Sequence, residues 1–220
     1  MSSARSATRA IRSSLHINPK SLAFPLPFPG PALAASGTEA DAMFHPDTQF
    51  LIDHWTGLAR KADVRGGVPG RDAFAPEVLG ARLPRTFLAE RRGEDASLRL
   101  AGSWIETFAD RTLAKESLLS LWTDASRDMV TAALTQAGRE ARPVVIVGSA
   151  GTTSTQVEVT LVPLRDLDER PYLLLGLIAT GSPPVMDKST RQIAARVTLG
   201  VGDHGRPALS LAAIQGRRIA

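Results

Sequence analysis

The sequence predicts an α+β domain: a five-stranded antiparallel sheet with short helices on one face and an amphipathic helix ahead of it. Three observations predict it. Residues 85–91 and 97–104 alternate as strands about the polar link Arg92-Gly93-Glu94-Asp95, which is hairpin chemistry. Residues 104–122 are too polar and irregular for one long helix, yet Ile105, Phe108, Leu113, Leu118 and Trp122 can line short helical pieces on one face. Three strand-like runs then follow a single well-patterned helix.

Each element has a local cause. In the first helix, DTQFLIDHWTGLARKA (47–62), Phe50, Leu51, His54, Trp55, Leu58 and Ala59 share a face, and Asp47 or Thr48 is available as N-cap. Gly66, Gly67, Pro69 and Gly70 end it. Pro76 opens a short turn, PEVLGARL, with Glu77 near its positive end, and Leu83-Pro84 stops it. Asp124 or Ser126 can cap SRDMVTAALTQAGRE, whose Met129, Val130, Ala133, Leu134 and Ala137 form a stripe, with Gly138 close to its end. The last three strands are PVVIVGS (143–149), TQVEVTLVPL (155–164) and YLLLGLIAT (172–180). In the middle one Val157, Val159 and Leu161 alternate with Gln156, Glu158 and Thr160, as one solvated face requires. The last is apolar throughout and belongs at the centre of the sheet.

The ends read differently. Residues 1–42 place arginines among serines and alanines and then run through FPLPFPGPALAAS, whose prolines forbid a regular helix or strand. A disordered leader is expected there; a signal peptide is the alternative that the prolines at 25, 27, 29 and 31 argue against, and a translation start at Met43 is the favoured account of why the leader is unpatterned. The folded domain is expected over 43–181. The basic tail, 182–220, with Arg191, Arg196, Arg206, Arg217 and Arg218, is expected to be flexible or to fold on contact.

Composition narrows the function classes. The 220 residues, 43% hydrophobic and 22% charged, suit one globular domain with tails. No cysteine is present, which removes disulfides, thiolate metal sites and thiol nucleophiles and favours a cytoplasmic location. The net charge of +4 comes from arginines interleaved with acids rather than gathered in blocks, so nucleic-acid binding is not expected. No window reaches the roughly 18 consecutive apolar residues of a membrane helix, so membrane insertion is not expected either.

Several short motifs stand in a specific order: Trp55; Pro69, Arg71 and Pro76; Leu83-Pro84; Arg99-Leu100-Ala101-Gly102; and Leu121-Trp122. Over residues 47–181 this pattern resembles the PAS-domain family, and within it the single-domain PAS-like regulatory proteins of alphaproteobacteria. The resemblance implies a sensory or docking module. Relatives usually carry Gly-x-x-Leu-x-Gly after the second strand, whereas here FADRTLAKES supplies Ala109, Asp110, Ala114 and Lys115. Those residues form a positive-φ turn less easily than glycine, so an inner loop of different shape is expected. Haem-binding relatives often use a histidine on the long inner helix, and light-driven flavin adducts need a cysteine. His16, His45, His54 and His204 all fall outside 83–180, so no cofactor is expected.

The function expected from this is a non-enzymatic regulator acting in trans, through a homodimer and through contact with sensor kinases or other regulators. Leu51, Trp55 and Leu58 are the candidate interface. For Trp55, docking the helix onto its own sheet is an equally open reading. The alternative is a non-covalent small-molecule sensor whose cavity is lined by Leu100, Trp104, Phe108, Leu118, Trp122 and Val145, with ordinary core as the competing account. Arg91, Arg92 and Arg99 are candidates to grip a phosphate or an acidic partner, against the simpler role of keeping an edge strand charged. A small α+β enzyme ranks last, because the inner strand positions are almost wholly apolar.

Overall fold

Alternation about the Gly93 turn produces the expected hairpin, β1 (Thr86–Arg92) and β2 (Asp95–Ala101). The computed structural model describes residues 43–61, 67–166, 173–187, 191–202, 209–214 and 217–218, the last two spans as backbone alone. All of them lie in the unit Asp41–Ala220. The leader assigned to 1–42 falls outside the described residues.

Strands β3 (Val144–Ala150), β4 (Thr155–Leu164) and β5 (Leu173–Ala179) complete the predicted five. Every residue of β5 is buried, and it lies between β1 and β4, as its unbroken apolar run requires. The sheet does not stop at five, however. Residues assigned to a flexible tail form β6 (Ile193–Val201), β7 (Leu209–Ile214) and β8 (Arg217–Arg218). The order is β2-β1-β5-β4-β3-β6-β7-β8, antiparallel throughout. β6 satisfies the free backbone edge of β3. Its alternation was hidden by Arg196, which a register shift opposite Val147 and Gly148 leaves outside the ladder and exposed.

Helices α1 (Pro46–Lys61), α2 (Ser103–Ala109) and α3 (Arg127–Glu140) are divided between the two faces. On the inner face α2, α3 and the turn Leu118–Leu121 close over Phe87, Leu98, Ile146, Val159 and Leu174. On the outer face α1 packs on β4 and β5. The solvated face expected for β4 is therefore covered: Glu158 is 6% exposed and Thr160 fully buried. The Glu158 carboxylate accepts a hydrogen bond from the His45 backbone N–H at 3.0 Å.

Other local expectations are corrected. Trp104 sits on α2, one residue past its first, and not on a strand. Ser126 does not cap α3; it is buried, and its hydroxyl accepts from the Ala195 N–H of β6 at 2.9 Å. Gly138 does lie close to the end of α3, as expected, and the left-handed residue that terminates the helix is Ala141, with φ 51°. The inner loop makes its left-handed turns without glycine, at Asp110 (φ 55°) and Lys115 (φ 71°). These two stand three before and two after Leu113, where the resembled pattern has glycine.

Two glycines shape the approach to the hairpin. Gly80 divides the 3-10 segment Pro76–Arg85 with φ 49° and ψ −123°, a conformation for which a side chain is strongly disfavoured. At Gly102 a Cβ would lie 2.3 Å from the Pro84 carbonyl oxygen and 2.4 Å from that of Leu83. Its N–H donates to the Thr86 carbonyl at 2.8 Å. The Leu83-Pro84 and Arg99–Gly102 motifs therefore meet each other in space.

Candidate functional site

The hairpin changes phase at Arg99. Leu98 opposes Ala89 while Leu100 opposes Leu88, so Arg99 is an extra residue on β2. Such a bulge moves the following side chains to the opposite face. Leu98 points into the inner core, fully buried, while Leu100 emerges outside with Leu88 and is 60% exposed. The sequence alone, read with a period of two, puts both inside.

Outside, Leu100 joins the 3-10 segment Pro76–Arg85 to form a groove of about 270 Å³. Phe74, Leu79, Leu88, Leu164 and Leu175 line its apolar walls, and Leu83, 43% exposed, stands at the rim. Thr86 also lines it, but its hydroxyl donates to the Arg82 carbonyl at 2.9 Å. Arg71 is the cation among the lining residues. Of these, the sequence reading had singled out Leu100 as cavity-lining; the groove escaped it because a bulge leaves no simple signature in alternation.

Four of the six predicted cavity residues converge on the inner core, and two do not. Leu118 and Trp122 are 1% exposed within the inner core. Trp104 and Phe108 stack, ring centroids 5.6 Å apart, and line a second groove of about 330 Å³ with Pro183, Pro184, Met186 and Arg191. Arg191 donates to the Thr107 and Phe108 carbonyls and pairs with Asp110 at 3.3 Å, which fastens it to the end of α2. Val145 lies on the outer face with Phe44 and Ile52, because Val144 and Ile146 take the inner positions of β3. Trp104, Phe108, Leu118 and Trp122 thus meet at the inner core, while Leu100 and Val145 lie on the outer face.

The predicted interface is also internal. Leu51 is fully buried and Trp55 2% exposed, both against the outer face. The Trp55 indole N–H donates to the Pro163 carbonyl at 2.7 Å. Leu58 is half-buried beside them. The alternative in which Trp55 docks the helix onto its own sheet describes the protein.

Charged groups at the same end hold α1 against the groove wall. Asp47 in its first turn accepts from Arg82 at 2.7 Å and Arg85 at 2.9 Å. The Arg82 guanidinium also lies 4.0 Å above the Phe50 ring. His54 stacks on Phe50 and meets Phe74 edge-on at 4.8 Å between centroids. Its Nε2 is buried without a hydrogen-bond partner. Burial, and secondarily the charge of Lys61, hold its pKa below the usual histidine value.

The hairpin arginines are engaged rather than free for a phosphate. Arg99 bonds Glu90 at 3.0 Å and Asp166 at 3.2 Å, and the Glu90 hydrogen bond leads in raising its pKa. Arg92 lies 3.7 Å from Glu90, and Arg91 donates to the Gly93 carbonyl and Thr135. Asp124 pairs with Arg127 at 2.9 Å. Among the described residues no group of three His, Asp or Glu is placed to hold a metal ion, and no helix is long and apolar enough to cross a membrane.

A hairpin, short inner helices, one long helix and three strands in the spatial order 2-1-5-4-3 agree with a family match: the model for the PAS domain covers residues 43–179. The chain belongs to the PAS-domain family. No curated protein matches it. Within this PAS domain the match ends at the last residue of β5, so β6 to β8 extend the sheet beyond the matched region. Membership gives the chain a sensory or signalling role.

Proposed function

We propose that this PAS domain is a non-enzymatic regulator that acts in trans by docking onto sensor kinases or other regulatory proteins in the cytoplasm, without haem or a flavin adduct. The observation that carries the reading is the clustering of exposed large apolar side chains. Leu83 (43%) and Leu100 (60%) both line the outer-face groove. Exposed apolar surface in one patch marks an interaction site more often than scattered single residues do. Because the α1 stripe is covered by its own sheet, contact with a partner, a second copy included, is assigned to this patch.

The test is copurification from native cells, using the full chain and a Leu83→Asp/Leu100→Asp variant whose changes lie at exposed positions. Regulatory proteins recovered with the first and depleted from the second support the reading. Equal recovery with both, or recovery of no regulatory protein with either, overturns it. Light scattering on the same two proteins tells whether the occupant is a second copy.

The groove volume of about 270 Å³ favours a second reading, a non-covalent small-molecule sensor. The ligand seat moves from the predicted inner cavity to the outer face. A molecule seated there would alter the surface offered to a partner, which couples sensing to docking.

A further inference from the structure

We propose that the outer-face groove binds an anionic amphiphile, a monocarboxylate with a short or medium aliphatic chain, its carboxylate held by Arg71. The inference rests on the sensor reading and names the ligand class. Size is the first argument. An apolar cavity of about 150 Å³ accepts benzene, so about 270 Å³ holds a molecule larger than benzene and smaller than a typical drug.

Lining chemistry is the second. Phe74, Leu79, Leu88, Leu164 and Leu175 offer no polar atom on their side chains. The polar groups of the floor are already satisfied: the Thr86 hydroxyl by the Arg82 carbonyl, and the Gly102 N–H by the Thr86 carbonyl. A ligand with several hydrogen-bonding groups would leave them unpaired there, which disfavours sugars and nucleotides. An aliphatic chain loses nothing.

Charge is the third. Arg71 is exposed at the groove, and its side chain has no ion pair or hydrogen bond among the described residues. Its backbone is held in place: its N–H donates to the Arg165 carbonyl at 2.9 Å, and the Arg165 N–H donates to the Pro69 carbonyl at 2.9 Å. Of the arginines on neighbouring segments, Arg82 and Arg85 are committed to Asp47, and Arg165 donates to the Val68 carbonyl at 2.8 Å. Asp72 and Glu77 are nearby in sequence, but neither lines the groove. One available guanidinium matches one carboxylate, in bidentate geometry. A phosphate dianion would call for more than one cation or N–H.

The test titrates the full chain with hexanoate, octanoate and decanoate, and with the alcohols of equal length, below their aggregation concentrations, by calorimetry. Amide NMR shifts at Ala101, Gly102 and Leu175 locate the site. Saturable carboxylate binding there, weakened about tenfold by Arg71→Gln while alcohol binding is unchanged, is the expected result. Carboxylate binding equal in the wild type and Arg71→Gln overturns the assignment to Arg71. Alcohols that bind while carboxylates do not overturn the anion class and leave the sensor reading standing. No saturable binding of either series overturns both.

Discussion

At Lys115 the backbone takes φ 71° with a side chain that gains nothing from it, since the residue is exposed and only its backbone is engaged, by Leu98 and by the Ser97 hydroxyl. A left-handed conformation costs an L-residue about 1–2 kcal/mol, partly offset by the chain entropy that glycine would lose. Lys115→Gly should therefore stabilise the domain by up to about 1 kcal/mol, read as a higher urea midpoint. A lower midpoint would refute that account of the loop. His54 supplies a second case. The folded protein binds its proton less tightly than the unfolded chain, whose pKa is near 6.5. Stability from this source is complete above that value and declines as pH falls through it. The melting temperature should thus drop between about pH 7 and about pH 5.5, and His54→Phe, which keeps a ring between Phe50 and Phe74, should flatten that part of the profile. The departure of Asp110 and Lys115 from a glycine pattern was readable in the sequence. That they would nonetheless adopt positive φ was not, because the loop is held by the Lys115 N–H to Leu98 bond across to β2.

At the scale of elements, α1 decides how the outer face is used. Its stripe of Leu51, Trp55 and Leu58 was visible as an amphipathic repeat, but amphipathicity does not say whether the covering surface belongs to the same chain. Trp55 settles that by its bond to Pro163. Trp55→Phe keeps most of the apolar contact and leaves that buried carbonyl without its donor, so a loss of about 1–2 kcal/mol is expected by denaturant titration. An unchanged midpoint would show that the bond contributes nothing. Trp55→Asp should disrupt folding itself rather than only self-association. The hairpin teaches the converse lesson: its strands and turn were predicted closely, yet one extra residue at Arg99 moves Leu100 from core to surface.

For the whole molecule, the extension of the sheet is the main departure from expectation. β6 pairs with β3 along Val144–Ala150, and the Ala195 N–H reaches the Ser126 hydroxyl at the start of α3. Removing residues 188–220 should bare the edge of β3 and leave Ser126 without that donor. We expect a lower unfolding midpoint and concentration-dependent association, measured by denaturation and light scattering. A truncated chain as stable and as dispersed as the full one would mean that β6 is dispensable to the domain.

By itself the sequence determined the order of elements from α1 to β5, the central place of β5 and the family, because these follow from hydrophobic period, turn residues and motif order, all local along the chain. Tertiary structure decided the faces that the local pattern misassigned. A bulge reverses Leu100, a covering helix buries Glu158 and Thr160, and a free strand edge recruits β6. Each depends on what lies across the sheet rather than on neighbours in sequence, and for that reason the groove that carries the functional proposal appeared only in three dimensions.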